Sequence, residues 1–341
     1  MARPDLEDTL GKIHEADLRG RRGLPYYAAP ALRTAAAAAH ALERPLLLTS
    51  DPGCGKTDFA WAIAGALGAR KVHECYIHSE ARARDLLYTY DSLARYRDVQ
   101  LAALSDDARA HARSPANYVR LESLGAAIVD AAQGSPTVVL IDEIDKAPKD
   151  FPNDLLRELD HGTFEIPELP LDAAPHKLPD GRSIARTVPV GIDRPGRPFV
   201  VITSNVERQL PEPFLRRCVF YHLEFPGEGT LRQIITDNID HLRGRGELPR
   251  RAPAALDDPT RAAAVALFTR LRAFGGPSNR LDKPPATSEL IDWIHALVVV
   301  DPPGLARLPD LARDPAPWGR LPALECLLKT REDRARVLGR T

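Results

Sequence analysis

The sequence predicts an α/β fold, a parallel sheet sandwiched between helices, followed by a small all-helical C-terminal lid. Three observations carry that expectation. The apolar run Pro45-Leu46-Leu47-Leu48 leads directly into Ser-Asp-Pro-Gly-Cys-Gly-Lys-Thr at Ser50 to Thr57. A second apolar run, Val138-Val139-Leu140-Ile141, ends in the carboxylates Asp142 and Glu143. Strand-like and helix-like stretches alternate up to about Phe225, as in a sheet whose strands are joined by helices, and only helical spacing follows. A chain of 341 residues exceeds what one hydrophobic core usually organises, so two domains are expected. They are 1–228 for the α/β core and 229–341 for the lid, with Phe225-Pro226-Gly227-Glu228-Gly229 as the linker.

Ala28 to Leu42, with its Ala35 to Ala39 run, reads as a close-packing helix ahead of the first strand. That strand delivers the chain to Gly53 and Gly55, which lack a Cβ and let backbone N–H groups turn inward around polyphosphate oxygens. Asp51, Pro52 and Cys54 complete the loop. Lys56 reaches the β and γ phosphates, Thr57 offers its hydroxyl to Mg²⁺, and the helix beginning near Asp58 points its positive end at the anion. The first position of the pattern G-x-x-x-x-G-K-[ST] is Ser50 here, still a small residue. Asp142 is expected to hold Mg²⁺ through water or Thr57, and Glu143 to polarise the water that cleaves the β–γ bond. A third strand, Arg197 to Thr203, ends at Ser204-Asn205, where an amide can orient that water. The implied cofactors are ATP and Mg²⁺.

Beyond the linker, Thr230 to Leu242, Pro259 to Phe274, Thr287 to Val300 and Leu321 to Leu338 have helical spacing and no strand pattern. Between Asp160 and Val201 a proline-rich segment contains Pro179-Asp180-Gly181-Arg182, flanked by Thr163-Phe164-Glu165-Ile166 and Ala185-Arg186-Thr187-Val188-Pro189-Val190. It reads as a β-hairpin insert over about 163–190 with a long tip.

Composition narrows the partners. With 46 Lys and Arg against 47 Asp and Glu, the whole-protein field does not favour nucleic acid. The basic stretch Arg243 to Arg251 reads as a solvated helix end or loop. Cys54, Cys75, Cys218 and Cys326 show no C-x-x-C or metal-ligand spacing, which suits reduced thiols in the cytoplasm. Met1 to Leu10 is charged and lacks an apolar signal-peptide core, and no transmembrane span appears.

Together these residues resemble AAA+ ATPases, specifically the MoxR-like branch. The resemblance runs through Tyr26 to Leu48, Ser50 to Thr57, Ala83 to Asp91, Ile141-Asp142-Glu143-Ile144-Asp145-Lys146-Ala147-Pro148, Phe151 to Leu159, Thr203-Ser204-Asn205 and Leu210 to Cys218. It implies an AAA+ P-loop core and a ring, of six subunits, with Asn205 at the sensor 1 position. Arg217, next to Arg216, falls where such proteins place an arginine finger for the γ-phosphate of the adjacent subunit; both arginines equally suit a helix end, where cations are favoured. No arginine matches sensor 2. Lys283 is the cation available in that stretch, although Lys283-Pro284-Pro285 also reads as a plain helix entry. Relatives place hairpin inserts along the ring channel or against a partner, and Tyr88 and Tyr90, read as loop aromatics, are expected either to grip a protein client or to be core tyrosines. The resemblance further implies a chaperone-like role with a von Willebrand factor A domain partner. Two other classes remain open: an ATP-gated switch or scaffold, and a nucleic-acid-acting motor.

Overall fold

The computed structural model describes residues 11–14, 17–101, 112–171, 174–178, 180–191, 196–205, 207–249, 252–253, 255–275 and 280–339. Met1 to Leu10, Pro179 of the hairpin tip, and Arg250 and Arg251 of the basic stretch lie outside the described residues. Contacts divide the chain into two compact units. One comprises Met1–Arg21, Ala28–Ser50 and Lys56–Leu223, the other Arg22–Tyr27, Asp51–Gly55 and Glu224–Thr341.

Among its described residues the first unit holds eleven strands: β1 Leu46–Thr49, β2 Val72–Tyr76, β3 Tyr88–Tyr90, β4 Val119–Leu121, β5 Val138–Asp142, β6 Phe164–Glu165, β7 His176–Lys177, β8 Ser183–Ile184, β9 Thr187–Val188, β10 Phe199–Ser204 and β11 Val219–His222. Five of them form one sheet in the order β11-β1-β10-β5-β2, with every pairing parallel. The expected parallel sheet between helices is therefore present. All residues of β1 and β10 are buried, as in parallel sheets covered by helices on both faces; Pro30–Ala41 precedes β1 and Lys56–Ala66 forms the crossover from β1 to β2. Register places Leu47 opposite Ile202 and Ile202 opposite Ile141. The core continues through Phe151, Leu155 and Phe214. Edge strand β11 alternates half-buried Val219 and Tyr221 with exposed Phe220 and His222, a short two-faced pattern that did not read as a strand beside the helical run Leu210 to Cys218.

Tyr88-Thr89-Tyr90 is not a loop. It is β3, paired antiparallel with β4 so that Tyr88 faces Leu121 and Tyr90 faces Val119. The helix Ser123–Ala132 approaches this pair so closely that a Cβ on Gly125 would lie 2.0 Å from the Leu87 carbonyl oxygen, which only glycine permits.

The proline-rich insert is a hairpin with two ladders. Phe164 pairs with Val188 and Glu165 with Thr187, while His176 pairs with Ile184 and Lys177 with Ser183. Its far end is fastened to the unit by Arg182, whose Nε and NH2 donate to Asp130 Oδ1 and Oδ2, each at 2.8 Å. The bidentate geometry fixes orientation as well as charge. Asp130 also meets buried His73 at 3.3 Å.

The second unit contains helices and no strands among its described residues. Glu228–Gly244, Asp258–Arg272 and Thr287–Val299 bury Ile235, Phe268, Trp293 and Leu297 in one core. The expected final helix, Leu321 to Leu338, is instead two helices, Leu324–Leu327 and Arg331–Leu338. Leu328 is extended, and the Thr330 side chain accepts from Asp333 N to start the second helix, so a side-chain cap competes successfully with continuation. Arg243 of the basic stretch is paired with Asp240 at 2.8 Å.

Candidate active site

In the main sheet β1, β10 and β5 lie side by side, and their C-terminal ends deliver Ser50, Asn205 and the pair Asp142 and Glu143 to one edge. This is where parallel sheets carry their sites. Lys56 opens the helix that follows β1 and is only 7% exposed. Its ammonium donates to Ser50 O at 3.2 Å, to Ser50 Oγ at 2.8 Å and to Asn205 Oδ1 at 2.8 Å. Ser50, the departure from the glycine pattern, thus contributes a hydroxyl to the lysine.

Thr57 Oγ1 donates towards Asp142, 3.3 and 3.4 Å from its two oxygens. Asp142 also accepts from Thr203 Oγ1 at 2.5 Å, and the same Thr203 hydroxyl accepts from Glu143 N at 2.9 Å. Glu143 has φ 58° and ψ 50°, a left-handed conformation that costs a non-glycine residue about 1–2 kcal/mol. Both carboxylate oxygens of Glu143 are engaged: Oε1 accepts from Asn205 Nδ2 at 3.3 Å, and Oε2 pairs with Lys146 Nζ at 2.5 Å. That hydrogen bond raises the Lys146 pKa above its ordinary value. Asp145 is 3% exposed, and its Oδ2 accepts from Asn205 N at 3.1 Å and from Glu207 N at 2.9 Å.

The donor set suits Mg²⁺ with polyphosphate. A hydroxyl and a carboxylate converge at Thr57 and Asp142, with the Lys56 ammonium on the same sheet edge. Among the described residues no three His, Cys, Asp or Glu side chains form a metal cage. A magnesium ion characteristically takes one or two protein oxygens and completes its shell with water and phosphate, so the sparse set is the appropriate one. Asp58, in the first turn of the helix after the loop, accepts from Arg21 N at 3.3 Å.

Residues Asp51–Gly55 belong to the second unit. Gly53 and Gly55 have φ of 76° and 86°, and a Cβ on Gly53 would lie 2.2 Å from that of Ala286. Asp51 accepts from Arg272 NH2 at 3.0 Å, while Arg272 NH1 donates to Pro285 O at 2.7 Å and the guanidinium lies 3.7 Å from the Phe225 ring centre. Sequence reading missed Arg272, because its position in the last turn of Asp258–Arg272 matches no motif. Pro52 is exposed and Cys54 buried. Lys283 is exposed, and its backbone N–H donates to Asp333 Oδ2 at 3.0 Å.

The other expected residues lie apart from this cluster. Arg217, half-exposed, pairs with Asp160 at 3.3 Å; exposed Arg216 pairs with Glu212 one helical turn back. Tyr88 is 2% exposed, stacks on Phe164 at 6.1 Å and donates to Glu168 Oε2 at 2.8 Å. Of the two readings of this residue, its burial favours the core tyrosine over contact with a client. Tyr90 is half-buried and its hydroxyl accepts from Arg95 at 2.8 Å.

The four cysteines are free thiols. Burial pushes Cys75 and Cys218 up to about 12, far from thiolate reactivity at neutral pH. No described helix is long and apolar enough to cross a membrane.

Residues 45–217 match the family model described as AAA domain (dynein-related subfamily). No curated protein matches the chain. Among solved structures, the chain is similar to the crystal structure of the FIGL-1 AAA domain in complex with ADP, at 14% identity and a TM-score of 0.38. That likeness covers 75% of this chain and 60% of the other.

Proposed function

The chain belongs to the dynein-related subfamily of AAA domains, and from that premise we propose that it is a Mg²⁺-dependent ATPase of the MoxR-like kind. In this reading it assembles into a ring of six subunits and uses hydrolysis to remodel or assemble a protein client in the cytoplasm, with a von Willebrand factor A domain protein as the partner. The observation that carries the ATPase reading is the convergence of Lys56, Thr57, Asp142, Glu143 and Asn205 at the ends of three adjacent parallel strands.

Each residue has a chemical task. Lys56 neutralises the β and γ phosphates, and Thr57 and Asp142 would hold a magnesium ion, which would supply charge neutralisation at the phosphate oxygens. Glu143 accepts the proton of the attacking water, and the Asn205 amide, already bonded to Glu143, orients that water. Arg217 reaches the adjacent subunit's γ-phosphate and stabilises the spreading charge. Its ion pair with Asp160 is half-exposed, so releasing it costs about 1 kcal/mol or less.

The test is mass photometry of the parent chain and Glu143→Gln with and without Mg-ATP, alongside ATPase rate against protein concentration. Assembly, with activity rising more steeply than concentration, is expected. A monomer with constant specific activity refutes the ring. A second reading, an ATP-gated switch with slow turnover, draws on the Lys146 ion pair, which neutralises the base. It is favoured if Glu143→Gln binds ATP and sustains full function.

A further inference from the structure

The turn after β5 carries two carboxylates with different surroundings. Glu143 points to Asn205 and Lys146, whereas Asp145, two residues on, is 3% exposed and turned into the unit. One of its oxygens, Oδ1, is buried without a hydrogen-bond partner. An orphaned buried acceptor is costly, more so when charged. The other oxygen shows what it does. The ladder from β10 to β1 ends at Ser204 opposite Thr49, and that to β5 ends at Ile202 opposite Ile141. The chain then leaves the sheet, and Asp145 Oδ2 takes up the Asn205 and Glu207 N–H groups.

We propose that Asp145 is a positioning residue for Asn205. Its carboxylate pins the turn after β10 at two backbone amides and so aims the Asn205 side chain, with its oxygen on Lys56 and its nitrogen on Glu143. The proposal rests on the ATPase reading for its catalytic consequence and on geometry alone for the pinning. Asn205 lies on a turn with no ladder of its own, and a catalytic group displaced by about 1 Å loses up to roughly a hundredfold in rate. The sheet ends and Asp145 together give the amide one orientation.

The experiment is a double-mutant cycle with Asn205→Ala and Asp145→Ala in the full chain, read as kcat and KM for ATP, together with amide exchange of Asn205 and Glu207. Asp145→Ala is expected to lower kcat about tenfold or more, to leave KM within about threefold, and to expose both amides to exchange. Added to Asn205→Ala, it is expected to change kcat no further, because non-additivity marks residues acting as one. An equal loss in both backgrounds overturns the proposal, since a merely structural defect acts whichever residue stands at 205. If Asp145→Ala loses its cooperative melt, Asp145→Asn decides. It retains an acceptor oxygen and is expected to keep both amides protected and kcat near the parent; a kcat as low as that of Asn205→Ala refutes the idea. If the parent hydrolyses no ATP, the ATPase reading fails by itself. Exchange then still decides the pinning: unchanged protection in Asp145→Ala overturns it.

Discussion

Thr203→Val isolates the hydroxyl that joins β10 to β5. Thr203 is fully buried at 0% exposure, and valine occupies nearly the same volume, so the change opens no cavity. Two contacts vanish. The Glu143 N–H, 2.9 Å from Thr203 Oγ1, loses its acceptor, at about 1–3 kcal/mol for a donor left unpaired. Asp142 loses a 2.5 Å charge-assisted bond, at about 1.5–3 kcal/mol. The extra buried methyl returns about 0.8 kcal/mol, leaving a net loss of roughly 2–5 kcal/mol. For a unit of this size each kcal/mol lowers Tm by roughly 2–4 °C, so a drop on the order of 10 °C is expected in a calorimetric melt without nucleotide. Thr203→Ser, which keeps the hydroxyl, serves as the control and is expected to lose about 1.5 kcal/mol or less. A Thr203→Val melt within about 1 °C of the parent, or equal losses for Val and Ser, refutes the reasoning.

Gly53→Ala brings a Cβ to 2.2 Å from that of Ala286 at a φ of 76°, and is expected to weaken nucleotide binding at least tenfold by titration with a fluorescent ATP analogue; affinity equal to the parent sinks it. Arg217→Ala removes one half-exposed ion pair, so stability is expected to change by about 1 kcal/mol or less and ATP binding to persist while hydrolysis is lost. Normal turnover rejects the finger role. His73, buried and near Lys71, is lowered to about 4 from 6.5. The unfolded chain therefore takes up that proton first, so the stabilisation is complete above pH 6.5 and drains away as pH falls towards 4, by roughly 3 kcal/mol. In His73→Gln the urea stability profile over that window is expected to be flatter by that amount, and equal slopes in the two proteins argue against it.

What was legible in the sequence is what short segments encode by themselves. β1, β5 and β10 are buried on both faces and so appear as unbroken apolar runs, and the glycines that follow β1 have φ values that require glycine. The site residues that escaped notice are defined by partners far along the chain. Asp145 acquires its role from amides about 60 positions away, Thr203 from carboxylate and amide groups at a similar distance, and Arg272 from Asp51, 221 positions earlier. Tyr88 is the same case in reverse, since the sequence leaves a client-gripping aromatic and a core tyrosine both open. An aromatic between Leu87 and Thr89 suits a grasping loop as well as a strand, and the fold places it opposite Leu121 and against Phe164.

Ser50 shows how these two kinds of information combine. As a letter in a motif it is a defect, since a hydroxymethyl group stands where the pattern has hydrogen. In the folded chain that hydroxyl, the Asn205 oxygen and the Ser50 carbonyl all accept from the buried Lys56 ammonium. A buried cation is tolerated only when its donors are satisfied, and in the proposed ATPase the satisfying groups are also those that would yield to phosphate oxygens. The exchange is one of charge-assisted hydrogen bonds for stronger ones to a polyanion. In the ATPase proposed above, the Ser50 hydroxyl would compete with phosphate for Lys56 while leaving the groups assigned to the chemistry unchanged.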